Sequence, residues 1–203
     1  MKKLPRSFYL RPTLQVARDL LGKHLVRVYK GKKLIGRIVE TEAYCENDAA
    51  SHAFRGRTNR NDVMFSKGGH LYVYFTYGMH FCANVVTREE GTGEAVLIRA
   101  IEPLEGIGLM MRNRFQSQAR PTATSLAALH PPTNLTNGPA KLCQALRLHR
   151  EQNGTDLLDG EIYILDAPYF PTAGVGTSRR TGIVKAKEKK WRFFVKGNRW
   201  VSR

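Results

Sequence analysis

Pro12, Leu14, Ala17, Leu20 and Leu21 recur at helical spacing and Gly22 follows them, so a proline start and a glycine stop predict a short amphipathic helix. The pattern then shifts to strands. Residues 24–29 (HLVRVY) and 34–41 (LIGRIVET) flank Lys30-Gly31-Lys32-Lys33, which predicts an antiparallel hairpin with a solvated basic turn. Acidic and polar residues take over from Glu42 to Asn61. Residues 70–87 (HLYVYFTYGMHFCANVVT) are β-prone but too long for one strand, and Thr76-Tyr77-Gly78-Met79 offers a place to turn. Two strands are expected there, with Tyr77 near their connection. A strand at 94–101 is expected to stop before Pro103, followed by a helix near 106–114. Asn137-Gly138-Pro139 starts a further helix through about Leu148, with Gly154 beyond its end, and strands follow at 161–165 and 191–196. Residues 116–136, with Pro121, Pro131 and Pro132 among many Ser, Thr and Ala, read as a mobile surface loop. No internal repeat is visible. The expectation is a single α+β domain over 1–203 with a mostly antiparallel sheet.

Composition adds a partner to this picture. The 203 residues are 42% hydrophobic, enough for one globular core, and 33 Lys+Arg against 17 Asp+Glu leave a net charge of +16. Ten of these cations, among them Arg179, Arg180, Lys185 and Lys187, fall in residues 174–203 beside one acid, Glu188. A polyanion is the expected partner, nucleic acid ahead of an acidic membrane surface. Cys45, Cys82 and Cys143 are odd in number and far apart, so neither a disulfide framework nor a zinc knuckle is expected, and a reducing, cytoplasmic compartment fits. The basic start lacks a following apolar segment and no run of eighteen apolar residues occurs, which argues against secretion and membrane spanning.

Several residues could carry chemistry. Glu40 and Glu42 end a strand two positions apart and share a face if the strand stays regular, so one of them is a candidate general base; the alternative, which this stretch alone favours, is that both are solvated rim charges. His52 lies ten residues on and is either catalytic or simply packed. Tyr72, Tyr74, Tyr77 and Phe81 form an aromatic series; such rings stack on bases, and a tyrosine at a hairpin tip can wedge between base steps, although Tyr72 and Tyr74 also suit ordinary strand packing. Asn84 and Arg99 interrupt apolar strands and need partners if buried, in a pocket or in structural hydrogen bonds. Phosphate-binding loops, dinucleotide fingerprints and zinc-hydrolase or deaminase motifs have no residues here, and neither a metal nor a cofactor is expected.

At these residues the chain resembles the single-domain alkyladenine (3-methyladenine) DNA glycosylase family. The likeness covers GRIVETEAY at 36–44, Ala50-Ser51-His52-Ala53, LYVYFTYGMHFCANV at 71–85, VLIRAIEPLEG at 96–106, NGPAKLCQAL at 137–146 and WRFFVKGNRWVS at 191–202. It implies a compact domain with a curved antiparallel sheet, short surrounding helices and a β-hairpin that enters the minor groove. Tyr77 would fill the gap left by an extruded nucleotide, with Met79 supporting it. Tyr44, His52 and Tyr74 would line the base pocket, and Asn84 at its edge would disfavour the amino group of guanine. Glu42 would deprotonate the attacking water, and Arg99 would help hold that water and the carboxylate. Arg179, Arg180, Lys185 and Lys187 are the expected contacts to the DNA backbone. No lysine matches a nucleophile position, which implies a monofunctional hydrolase that leaves an abasic site in duplex DNA and so initiates base excision repair. A monomer is expected. The competing reading is a non-catalytic binder of damaged DNA or structured RNA, for which Glu42 and Arg99 have no use.

Overall fold

Among the described residues of the computed structural model, which are 1–76, 78–115, 131–168 and 171–202, eight strands and four short α-helices follow one another. Helix α1 (Arg6–Tyr9) was not expected from the pattern, and α2 (Thr13–Asp19) follows Pro12 as it predicts, with Val16 and Ala17 fully buried. Gly22 adopts a φ of 89° and its N–H donates to the Ile38 carbonyl, so this glycine turns the chain out of the helix against the strand to come.

Strands β1 (His24–Tyr29) and β2 (Lys32–Tyr44) form the first hairpin. Its turn is tighter than the expected tetrapeptide. Tyr29 pairs with Lys32, leaving only Lys30 and Gly31, both at positive φ, the geometry whose twist suits a two-residue hairpin. Strand β2 also outlasts the expected boundary at Thr41, because β5 (Ala95–Glu105) pairs with it as far as Tyr44. Strands β3 (Leu71–Thr76) and β4 (His80–Val86) pair antiparallel from Leu71–Val85 to Thr76–His80.

Pro103 does not stop β5. It aligns with Gly36 next to a register shift between Ile35 and Gly36, where an irregular ladder tolerates its missing N–H. Gly36 is needed there, since a Cβ would lie 2.4 Å from Ile101 Cδ1. Helix α3 (Ile107–Phe115) follows, and α4 (Pro139–Leu146) packs against it; α4 ends close to the expected Leu148, at Arg147 in the left-handed conformation. Of the expected loop, residues 116–130 lie outside the described residues. Residues 131–136 are not a free surface segment: Leu135 and Thr136 are fully buried, and Thr136 Oγ1 donates to the Ile101 carbonyl over 2.6 Å.

Strands β6 (Ile162–Leu165), β7 (Val175–Ser178) and β8 (Arg192–Val195) complete the sheet, β7 being unforeseen. The main order is β3-β4-β5-β2-β1-β6, every pairing is antiparallel, and the sheet curls. β5 takes one edge of β2; the other is shared, β1 covering Lys32–Arg37 and β8 covering Glu40–Glu42. The main core lies under α2 and α4, around Leu20, Ile38, Ile98, Leu142 and Phe193. A smaller apolar cluster, Ala53, Met64, Phe65, Tyr72, Val86 and Ala95, sits beside β3 and β4. No helix among the described residues is long and apolar enough to cross a membrane.

Candidate active site

In β2 the alternation of exposed and buried residues stops at Ile38, and every residue from Ile38 to Ala43 is buried. Thr41 Oγ1 donates to the Ala17 carbonyl of α2 over 2.7 Å, so its face is the helix side. Glu40 and Glu42 point the other way. They share a face, as their spacing predicts, and Arg99 of β5 spans both, with Nε 2.9 Å from Glu40 Oε1 and Nη1 3.2 Å from Glu42 Oε1. The alternative of two solvated rim charges is overturned, because neither carboxylate has any exposed surface.

Glu40 is fully engaged in structure. Arg192 Nε donates to its Oε1 over 2.6 Å, and the Ser202 N–H and hydroxyl donate to Oε2 and Oε1 over 2.7 and 2.8 Å. Glu42 is held differently. Its Oε1 accepts the Thr181 backbone N–H at 2.8 Å and is ion-paired with Arg99, while Oε2 accepts the Tyr44 hydroxyl at 2.8 Å. The Tyr44 hydroxyl thereby uses one of the two acceptor sites on Oε2. Burial works against the charge of Arg99, but the Glu42 and Glu40 carboxylates beside it outweigh that and hold its pKa above the ordinary value. Burial first and the Glu42 carboxylate second push the Tyr44 phenol up, so Tyr44 remains a donor.

Tyr44 and Arg99 also line a cavity of about 550 Å³, within the range of small-molecule sites. Its walls include His52, Tyr72, Tyr74 and Asn84. The His52 ring meets Tyr74 edge-on with centroids 4.5 Å apart, and its Nδ1 is 3.0 Å from the Tyr72 hydroxyl. Partial burial of the ring, and then the nearby Arg60, lower the His52 pKa, which favours a neutral imidazole although the residue as a whole is exposed. Burial pushes Tyr72 up to about 12 and raises Tyr74 further, so every phenol in the wall is neutral at pH 7. Asn84 is buried and donates to the Tyr72 carbonyl over 3.1 Å, which fixes its amide at the wall. The site thus places a buried carboxylate directly behind uncharged aromatic faces.

Another wall is the segment after β7, from Thr181 to Lys185. The alternation of β7 continues as far as Arg180: Thr177 and Arg179 are exposed, Gly176 and Arg180 buried. Arg180 is therefore not placed to touch a DNA backbone. Its side chain has no exposed surface and forms a two-pronged ion pair with the equally buried Asp48, Nη2 lying 3.0 Å from Oδ1. Arg179, Lys185 and Lys187 are exposed, and Lys185 is among the residues that line the cavity. Met79 is 68% exposed beyond β3, while Tyr77 lies outside the described residues.

Of the residues expected at a site, Glu42, Tyr44, His52, Tyr74, Asn84 and Arg99 converge. Sequence reasoning missed the Glu40 network with Arg192 and Ser202, the Thr181 N–H and the Asp48–Arg180 pair. The period of β7, had it been recognised, separates Arg179 from Arg180; nothing in the sequence marks a backbone N–H as a carboxylate ligand.

The chain is similar to known proteins over nearly its whole length. The family model described as methylpurine-DNA glycosylase matches residues 7–199. The chain is 48% identical over 201 residues to a protein of Carboxydothermus hydrogenoformans, covering 98% of each. It is 46% identical over 204 residues to one of Chlorobium phaeovibrioides, covering 100% of this chain and 97% of that one, and 44% identical over 203 residues to one of Methanoculleus marisnigri, covering 98% of each. All three are described as "Putative 3-methyladenine DNA glycosylase".

Proposed function

The chain belongs to the methylpurine-DNA glycosylase family, and from that premise we propose that it is a monofunctional DNA glycosylase that flips alkylated or deaminated purines out of duplex DNA and hydrolyses the N-glycosidic bond. The observation that carries the reading is Glu42, a carboxylate without exposed surface, oriented by Arg99, Tyr44 and the Thr181 N–H behind an aromatic cavity.

The flipped base lies between the faces of Tyr44, His52 and Tyr74. N-alkylated purines carry positive charge, and neutral rings attract such a base where a protonated histidine would repel it. Asn84, immobilised on the Tyr72 carbonyl, disfavours the exocyclic amino group of guanine. Water enters beside Tyr44 and Arg99 and gives a proton to the free acceptor site on Glu42 Oε2. Its oxygen bonds to C1′ as the bond from C1′ to the purine nitrogen breaks, the electron pair leaving with the base. The carboxylate offsets the positive charge that develops on the sugar. The product is an abasic site in an uncut strand. Tyr77 and Met79 fill the gap in the duplex, and Arg179, Lys185 and Lys187 hold its phosphates.

Single-turnover incubation with a duplex carrying one hypoxanthine or ethenoadenine, followed by alkali, tests this. Wild-type protein yields alkali-dependent cleavage, whereas Glu42→Gln binds the lesion duplex and yields none. Cleavage without alkali would count against a monofunctional enzyme. Binding by the wild type without excision from either lesion or from methylated DNA would favour a non-catalytic binder.

A further inference from the structure

Three segments meet at Arg180. The guanidinium grips Asp48 with both Nη atoms, donates from Nη1 to the Ala43 carbonyl over 3.0 Å, and lies 4.7 Å from the centre of the Tyr44 ring. Ala43 separates Glu42 from Tyr44, and the residue after Arg180 is Thr181, whose N–H holds Glu42. Asp48 in turn organises the path to His52, its Oδ1 accepting the Ala50 N–H at 3.2 Å and its carbonyl the Ser51 N–H at 2.7 Å. Lys189 adds a second cation 3.7 Å from Asp48.

A buried ion pair is a poor means of adding stability, since desolvating both charges cancels much of their attraction and apolar packing often does as well. What such a pair supplies is directionality. A planar fork can satisfy a carboxylate bidentately, reach a carbonyl and stack on a ring at once, and a lysine cannot. Each of these partners belongs to, or adjoins, a wall of the cavity.

On the reading of Glu42 as the base, we propose that Arg180, locked by Asp48, is a positioning residue for excision: it sets the Thr181 N–H and the Tyr44 ring on Glu42 and holds the His52 segment against them. It touches neither DNA nor the reacting atoms. Its loss is therefore felt in the excision step and not in affinity for an abasic duplex, which leaves the base pocket empty.

The test uses two variants of the full chain. Arg180→Lys keeps the charge beside Asp48 but gives up the fork and the stack. Asp48→Asn with Arg180→Gln removes both buried charges together and leaves only the partly exposed Lys189 ammonium without its carboxylate, so a folded protein remains if Arg180→Lys proves unstable. Each is compared with wild type in the single-turnover excision rate and in affinity for a duplex holding a non-hydrolysable abasic-site analogue, well below its melting temperature. Excision slowed about tenfold in Arg180→Lys and about a hundredfold in the double variant, with affinity unchanged, is the expected result. Wild-type excision in the folded variants, or affinity lost in parallel with rate, overturns the proposal. Glu42→Gln run alongside keeps the two ideas apart: retained excision there overturns the base assignment itself.

Discussion

The two halves of β2 solve the same problem by opposite means. From Lys32 to Ile38 the strand alternates, its inward residues pack on apolar neighbours, and its outward ones meet water. From Val39 to Ala43 both faces are covered, yet two of the five residues are carboxylates. The first half is held by apolar area, which tolerates exchange of one packing solution for another. The second is held by directed hydrogen bonds, in which each partner is needed for the others. A catalytic carboxylate needs the second kind of interior, because orientation rather than burial decides whether it meets a water.

Substitutions in the two halves sharpen this contrast. The largest effect is expected from Glu40→Gln, which leaves Arg99 and Arg192 facing a single carboxylate: about 3–5 kcal/mol of stability in urea titration, together with slowed excision as Arg99 loses its anchor. Ile38→Ala, two residues away, should cost about 2–4 kcal/mol and leave single-turnover excision by the folded protein unchanged. Equal losses of activity in the two would erase the distinction. The smallest effect concerns acid. The folded-state pKa of His52 is lowered, so the stability it contributes is present in full above its unfolded value of about 6.5 and lost as pH falls through the lowered folded value. Denaturation midpoints at pH 7 and pH 5 should therefore differ less for His52→Gln than for the wild type.

The same contrast explains what was legible in the sequence. Turn residues and β-prone runs marked β1, β3, β4, β6 and β8, and helical spacing with proline and glycine signals marked α2, α3 and α4. They failed where neighbouring strands rather than the local pattern set the boundary. β2 outruns its expected end because Glu42 looks like a surface residue until β8 and β5 cover it, and β5 passes Pro103 because a bulge opposite Gly36 accommodates a missing donor. Strand β7 is four residues with a glycine in it, too short for a period, and its loss from the reading is why Arg180 was grouped with Arg179. At the site, the residue types were readable and their assignments were not: two glutamates at one spacing differ only because Ser202 and Arg192 reach the first, Thr181 and Tyr44 the second.

The Glu40 contact with Ser202 joins residues 162 apart, and that of Glu42 with Thr181 joins residues 139 apart. Closures of this length are slow to form and come late along a folding route. A chain whose strands β1 to β5 have paired while β8 is still undocked would already possess Tyr72, Tyr74 and the Asn84 amide, with Arg99 and Tyr44 on the carboxylates, but Glu40 would lack Arg192 and Ser202, and Glu42 the Thr181 N–H. Such an intermediate lacks the backbone donor that fixes Glu42 and two of the partners that fix Glu40. The carboxylate pair is thus completed only when the two ends of the chain meet.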